Sequence, residues 1–295
     1  MSNLPDVQNR LDNRGISLER VGLTNVKFPT SILRKDGTSS NISAKVKLFA
    51  NLPEEAKGHN LSRFSEVLVE FGEVHQVLSS DTMLKLLERM QERLGSKDVY
   101  ARFEFDYYIN KEAPVSKKVA PQAFVCAFTG IKKNGDTHFI LEVNVIAASL
   151  CPCSKEMSLL ENLTEENLNE KYSNLTSPEF KLINKKVGMG AHNQRSLIKV
   201  ELLLNDVLWI EDVIKFVEEQ ASAPTYPILK RPDERYVTIL AYENPKFSED
   251  IARDIQHAIE SRTEVKEWML KVENEESIHP FNVTVVQKSA GWKFN

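Results

Sequence analysis

The sequence has little cysteine, no strong surplus of either charge and no long apolar run, and each shortage excludes a class of protein. Its 295 residues include three cysteines, and the polar start MSNLPDVQNRLDNRG has no apolar signal segment, so a disulfide-stapled secreted domain is not expected. The formal net charge of −4 lacks the basic surplus of nucleic-acid-binding proteins. No apolar stretch reaches the roughly 18 residues of a membrane span. We therefore expect a cytoplasmic protein that binds neither nucleic acids nor membranes.

The composition that remains, 41% hydrophobic and 27% charged, is ordinary for a globular protein, and its periodicity predicts an α+β fold. The first half predicts the order β-β-α-α-β-β-β, and the second half a strand, three helices and two strands. Antiparallel strands segregated from helices are typical of α+β folds, here with two copies of one module. We predict an N-terminal arm over residues 1–15, a first module over 16–150 and a second over 151–295. An exposed insertion rich in Asn, Glu, Lys and Ser is expected at about 159–189.

Two of the three cysteines lie in the segment SLCPCSKEMS, where Pro152 separates Cys151 from Cys153. A disulfide across one rigid residue is not expected, and side chains two apart on an extended segment would point to the same side. A histidine, His192, lies in the small-residue loop GMGAHNQRS just before a strand. Cysteine, histidine and a carboxylate can form a catalytic metal site with a position open for water. From these residues alone, a metal site and two buried thiols at a strand end both remain open.

A set of short blocks gives the sequence its strongest likeness to a known family. The blocks are LCPCSKE, GAHNQRS, KRPDERYV, ENPKFSED and VENEESIH, with LPDVQ and KGHNLSRFSE near the start. In this order, and over nearly the whole chain, they resemble the signature blocks of the type IB GTP cyclohydrolases. The resemblance implies tandem tunnelling-fold modules, with antiparallel sheets and helices packed on one face, assembled as a homotetramer with active sites at subunit interfaces. It also implies conversion of GTP and water to 7,8-dihydroneopterin triphosphate and formate, the entry to folate, related pterins or deazapurines.

The resemblance further implies a metal site and a catalytic thiol. Cys151, His192 and Glu234 match the family's ligands for one divalent metal, and Cys153 matches the thiol needed for catalysis. A bound metal lowers the pKa of its water, which would supply hydroxide for attack on C8 of guanine. A mixed sulfur, nitrogen and oxygen donor set accepts zinc, manganese or iron.

Other residues are similar to the family's substrate-binding groups. Glu249 matches the carboxylate that anchors guanine, and Glu276 and His279 match polar residues of the same pocket. Histidine exchanges protons readily near neutral pH, so His279 is the candidate for proton transfer at N7 and N9. Cations are needed for the triphosphate, and the candidates flanking the motif blocks are His59, Arg63, Lys155 and Arg195. The structural alternatives are first-turn glutamates favoured by a helix dipole and basic side chains on a solvated face.

The sequence departs from the family pattern in two places. The insertion separates CPCSKE from GAHNQRS, which are nearly contiguous in other members, and Phe281 stands where a second histidine is expected. Two alternatives from other classes follow. One is a non-catalytic tunnelling-fold protein that binds a purine or pterin, and the other is a thiol-redox protein. The redox alternative lacks the usual Cys-x-x-Cys at a helix start, and the persistence of the motif residues favours the enzyme.

Overall fold

The computed structural model describes residues 10–74, 77–160 and 190–294, together with residues 8 and 178. Residues 1–7 and 9 of the predicted N-terminal arm lie outside this part of the chain. So do residues 161–189 of the predicted insertion, apart from residue 178.

Ten strands in the described residues form one sheet, antiparallel except where β1 runs parallel to β3. Its order is β10-β9-β7-β6-β5-β4-β2-β1-β3, and β8 pairs with β6 beside this path. The strands are β1 (Leu18–Leu33), β2 (Ser39–Leu52), β3 (Val77–Leu78), β4 (Val99–Glu112), β5 (Val119–Lys133), β6 (Asp136–Leu150), β7 (Asn193–Leu204), β8 (Ala223–Pro224), β9 (Val265–Glu275) and β10 (Val283–Lys288).

The helices follow the predicted order, with one addition. They are α1 (Leu61–Val74), α2 (Ser80–Leu94), α3 (Pro152–Leu160), α4 (Ile210–Glu218), α5 (Arg231–Glu243) and α6 (Ser248–Glu260). The sequence patterns did not predict α3 or the two-residue strands β3 and β8. In the described part of the chain, no helix is both long enough and apolar enough to cross a membrane.

Local sequence explains where α2 begins and ends. The Ser79 hydroxyl accepts the Thr82 N–H at 3.3 Å, and the Thr82 hydroxyl accepts the Ser79 N–H at 2.9 Å, which forms a reciprocal capping box. Gly95 ends the helix in the left-handed region with φ of 64°. Met83 and Leu87, on the apolar face of the helix, are fully buried.

The two faces of the sheet differ in chemistry. On the face covered by helices, alternate positions such as Val143, Val145 and Ala147 are at most 1% exposed and join the main core. On the other face, the Arg102 guanidinium donates to the Glu142 carboxylate at 3.0 Å. Burial raises the pKa of Glu142, but the bonds from Arg102 and the charge of Lys199 outweigh it and hold that pKa below its usual range. The predicted α+β fold with helices on one face is confirmed.

The predicted module boundary lies between β6 and α3, and the sheet continues across it. Strands β6 and β7 pair from Ile140–Leu203 to Leu150–Asn193, which joins the two halves of the chain in one hydrogen-bonded ladder. The modules themselves stay a prediction.

Candidate functional site

Three neighbouring strands end side by side at one end of the sheet, and the motif blocks lie on these ends. Leu150 of β6 pairs with Asn193 of β7, and further along β7 pairs with the end of β9. The Cys151 N–H donates to the His192 carbonyl at 3.1 Å, which extends the β6–β7 pairing by one step. The insertion separates Cys151 from His192 in sequence, and the sheet makes them neighbours.

Cys151 occupies the capping position of α3. Its carbonyl accepts the Lys155 N–H at 3.2 Å, and its Sγ accepts the Ser154 N–H at 3.4 Å. The Ser154 hydroxyl in turn accepts the His192 N–H at 3.3 Å. The half-buried sulfur therefore lies at the N-terminus of α3, in contact with a backbone N–H of its first turn.

The expectation that the two sulfurs point to the same side of an extended segment is wrong. Pro152 is the first residue of α3, a position that suits its fixed φ, so the segment is not extended there. Cys153 lies in the first helical turn with an exposed thiol, and strand alternation does not relate it to Cys151. The third cysteine, Cys126, is fully buried on β5, and burial raises the pKa of its thiol well above the usual value. Only Cys151 and Cys153 are therefore placed for reaction.

His192 is held at its ring by a buried amide. Its Nδ1 lies 3.1 Å from Gln194 Oε1, and the imidazole is half-buried. This contact leaves Nε2 for a second partner.

The third predicted ligand, Glu234, lies in the first turns of α5 with an exposed side chain. Helix α5 packs at the end of β6 through Val237 and Ala241, and Glu234 lies on the same helix face. Among the residues that the structure describes, no three His, Cys, Asp or Glu side chains converge to hold a metal ion. The structure thus makes Cys151 and His192 backbone neighbours, while the three predicted ligands do not converge.

Asp233, beside Glu234, has a structural role that sequence reasoning missed. It is completely buried and accepts backbone N–H groups from Val115 at 2.8 Å, Ser116 at 2.7 Å and Lys230 at 2.8 Å. Burial raises the pKa of its carboxyl, but these hydrogen bonds outweigh burial and hold the pKa well below its usual range. Asp233 therefore caps α5 and fixes it to the turn between β4 and β5. Its signal in the sequence is a second carboxylate beside a proline at a helix start.

Glu249 reaches the same end of the sheet through the loop before α6. The Lys246 N–H of this loop donates to the Leu150 carbonyl at 3.1 Å. Glu249 lies in the first turn of α6 with an exposed side chain and accepts the Ser248 hydroxyl at 2.9 Å. Its carboxylate is thus open to a ligand, although the dipole alone would also favour it there.

Glu276 and His279 follow β9 at the same end. Glu276 is half-buried, whereas His279 is exposed and stacks on Phe281 with ring centroids 5.0 Å apart and planes 11° apart. Phe281, at the position where a second histidine was expected, thus supports the His279 ring.

Two of the predicted cations also lie at this end. The Lys155 ammonium donates to the Tyr242 carbonyl at 2.5 Å and lies 4.5 Å from the centre of the Tyr242 ring, which ties α3 to α5. Arg195 is exposed on β7, between partners on β6 and β9.

The other two, His59 and Arg63, lie at the opposite end of the sheet. His59 Nε2 is 3.0 Å from the Asn51 carbonyl near the end of β2, and Arg63 is in the first turn of α1. The end of β2 pairs with the start of β4, which pairs with the end of β5, and the end of β5 pairs with the start of β6. This end of the sheet is therefore a full strand length away from the end of β6. Nine of the eleven predicted site residues therefore gather at one end, and His59 and Arg63 do not.

Comparison with known proteins assigns the chain to a family. Residues 4–285 match the family described as Type I GTP cyclohydrolase folE2. The chain belongs to this family. A relative named GTP cyclohydrolase FolE2 from Magnetococcus marinus is 35% identical over 276 residues, which cover 94% of this chain and 92% of the relative. The FolE2 of Thermosipho africanus is 34% identical over 277 residues, with coverage of 94% and 95%. The predicted type I GTP cyclohydrolase family is confirmed; the match is to FolE2 and does not carry the predicted label of type IB.

A solved structure supports the fold of this FolE2 chain. Uricase from Arthrobacter globiformis superposes with a TM-score of 0.51 over 94% of this chain and 96% of the uricase, at 8% sequence identity. At that identity the likeness concerns the fold alone. The predicted tunnelling fold is confirmed.

Proposed function

We propose that this FolE2-family protein is a metal-dependent GTP cyclohydrolase that converts GTP and water to 7,8-dihydroneopterin triphosphate and formate. Its product would enter folate, pterin or deazapurine synthesis. The observation that carries the proposal is the gathering of nine motif residues at one end of the sheet, with Cys151 and His192 as cross-strand neighbours. Family membership supports the choice of GTP as substrate.

The three predicted ligands suit one divalent metal by their chemical type. Cys151 offers its sulfur, His192 offers Nε2, and Glu234 offers an exposed carboxylate on α5. This donor set suits zinc, manganese or iron, and the metal would supply a water of lowered pKa beside C8 of guanine.

The remaining roles belong to the protein's own side chains. The open carboxylate of Glu249 would accept the N1–H and the 2-amino group of guanine, a pair of donors that adenine lacks. His279, supported by the Phe281 ring, would carry protons at N7 and N9. Cys153 would meet the purine with its exposed thiol, and Glu276 would line the pocket.

A complete site needs more than one copy of the chain if His59 and Arg63 bind the triphosphate. Strand β4 has 14 residues, so the two ends of the sheet lie on the order of 45 Å apart along the strands. A GTP molecule is shorter than that distance. We therefore propose that a neighbouring copy supplies His59 and Arg63, within a homotetramer whose active sites lie at subunit interfaces.

The activity is tested by incubating the metal-reconstituted protein with GTP. We expect formate and, after oxidation, a neopterin fluorophore; ATP serves as the matched control and should give neither. Absence of both products with zinc, manganese and iron refutes the proposal. Purine binding without formate would instead support the non-catalytic alternative, which the lack of convergence among the three predicted ligands favours.

The shared site is tested by mixing inactive variants during reassembly. A mixture of Cys151→Ser and Arg63→Ala should regain activity, because some sites then combine an intact metal end with an intact Arg63. A mixture of Cys151→Ser and Glu234→Gln is the matched control. It should stay inactive, because both changes damage the same end of the chain. No recovery in the first mixture refutes subunit sharing.

A further inference from the structure

The helix-facing side of the sheet turns from apolar to polar where the three strands reach the candidate site. On β7 the inward positions Leu202, Val200 and Ile198 are apolar, and the next inward positions are polar. The same change occurs at the ends of β6 and β9. The four polar residues are buried, each at most 8% exposed, and are called here the buried polar cluster: Ser149, Gln194, Ser196 and Asn274.

The buried polar cluster lies on the same strand ends as the motif residues. Ser149 pairs with Gln194, and Ser196 pairs with Asn274, so all four share one face of three adjacent strands. Ser149 precedes Cys151 by two positions, and Gln194 follows His192 by two positions. Polar side chains at such depth need a fully satisfied set of hydrogen bonds, which gives the cluster a defined donor and acceptor pattern.

One backbone carbonyl sets the direction of the hydrogen bonds in the cluster. Ser149 Oγ lies 2.9 Å from the Lys246 carbonyl oxygen, which can only accept, so the serine proton points there. The Ser149 oxygen must then accept from its other two neighbours. These are Gln194 Nε2 at 3.4 Å and Asn274 Nδ2 at 3.2 Å.

The hydrogen bond at Ser149 fixes the orientation of the Gln194 amide, and that orientation decides which nitrogen of His192 carries the proton. With its NH₂ turned to Ser149, the Gln194 amide turns Oε1 to His192 Nδ1 at 3.1 Å. An amide oxygen only accepts, so Nδ1 carries the imidazole proton and Nε2 carries the lone pair. Turning the Gln194 amide over would set its NH₂ against the ring and its oxygen against a Ser149 hydroxyl whose proton is already used. The cluster resists that change because the bond to Ser149 would be lost in a buried place, whichever nitrogen of the ring then carried the proton.

We propose that the buried polar cluster holds His192 in the Nδ1–H tautomer before any metal arrives, with Gln194 and Ser149 as positioning residues. Free neutral imidazole favours the other tautomer, with its proton on Nε2, where it would block a ligand. The cluster also joins the blocks of the candidate site, because Lys246 belongs to the loop that leads to Glu249. This inference rests on the proposed function only in naming a metal ion as the partner of Nε2.

The tautomer can be read directly by nitrogen-15 NMR of the histidine rings in the metal-free protein, at alkaline pH where histidine is neutral. The wild type should show His192 protonated on Nδ1. Gln194→Met, of similar length without an acceptor, should move the proton to Nε2. Gln194→Glu retains an acceptor and should restore the wild-type signal. Ser149→Ala gives a second route to the altered tautomer if Gln194→Met does not fold.

Ser196→Ala is the matched control for Ser149→Ala. Its hydroxyl is equally buried, but it donates to Asn274 Oδ1 at 2.5 Å and has no bond to Ser149 or Gln194. The control should keep the Nδ1–H tautomer, while Gln194→Met should bind zinc about 10- to 100-fold more weakly than the wild type.

The outcomes separate this inference from the proposed function. A wild-type His192 protonated on Nε2 overturns the inference, and so does an unchanged tautomer in both Gln194→Met and Ser149→Ala. A wild type with the Nδ1–H tautomer that neither binds metal nor releases formate overturns the proposed function and supports the inference.

Discussion

Substituting the two cysteines of the Cys-Pro-Cys segment separates ligand, cap and catalytic roles. Cys151 Sγ accepts the Ser154 N–H at 3.4 Å and so caps α3, whereas Cys153 is exposed in the first turn. Cys151→Ala removes both the cap and the proposed metal ligand. Cys151→Ser keeps a hydrogen-bond acceptor at the cap and removes only the sulfur, since serine is among the preferred capping residues.

The expected sizes follow from these contacts. Loss of the cap in Cys151→Ala should cost about 1 kcal/mol, or about 2 °C in Tm for a chain of this size. Cys151→Ser should lose less than that, and Cys153→Ala should change stability by no more than about 0.5 kcal/mol. Metal at about 100 times its Kd should stabilise the wild type by about 2.7 kcal/mol, or about 5 °C.

The assay is thermal unfolding with and without zinc, followed by formate release with GTP. We expect the metal-dependent rise in Tm to vanish in both Cys151 variants and to persist in Cys153→Ala, which should bind metal and lose turnover. An equal loss of the metal effect at both cysteines would show that their roles are shared or exchanged. A full metal effect in Cys151→Ser would show that the sulfur is no ligand.

Three further predictions test other parts of the structure. Asp233→Asn should lower stability at neutral pH. The folded-state pKa of Asp233 is depressed, so its contribution is complete above the unfolded value of about 3.9 and fades as pH falls through the lower folded value; urea unfolding against pH should show the gap between the two proteins closing in acid. Glu234→Gln, at an exposed position, should change the metal-free Tm by no more than about 1 °C and abolish the zinc-dependent rise; an intact rise excludes Glu234 as a ligand. Gly130→Ala would place a methyl 2.5 Å from Met83 Cγ and should cost about 1–3 kcal/mol in urea unfolding, whereas Gly58→Ala, with no atom closer than 3.9 Å, is the neutral control; equal stability of the two variants would contradict the packing.

The sequence predicted most elements because their signals are local. Alternation along β4 and the apolar stripe of α2 are each read within a dozen or so residues, and Gly95 marks the end of α2 by its conformation. Cap positions are harder to read from the sequence: Ser79 caps α2 although Asp81 follows two residues later, and Phe247, not Ser248, is the residue that precedes α6. Candidate caps one or two residues apart offer similar hydrogen bonds, so the packing of the helix decides between them.

Helix α3 shows where local signals conflict. Pro152 suits an extended segment and the first turn of a helix equally well, so the local sequence does not decide the conformation of the Cys-Pro-Cys segment. The bond from the Ser154 N–H to Cys151 Sγ and the contact of Lys155 with Tyr242 on α5 accompany the helical form. The second contact is between residues distant in sequence, and no local pattern contains it.

By itself the sequence determined the family, the α+β class and the residue types of the candidate site, because motif blocks and periodicity are recognised from residues that are close together in the sequence. Tertiary structure alone decided which of those residues meet. The β6–β7 register makes Cys151 a neighbour of His192, and the β2–β4 register places His59 at the far end. Strand pairing joins residues far apart in sequence, and a slip of one residue would turn every side chain to the opposite face. The buried polar cluster depends on that register, since its hydrogen bonds run across three strands to the ring of His192.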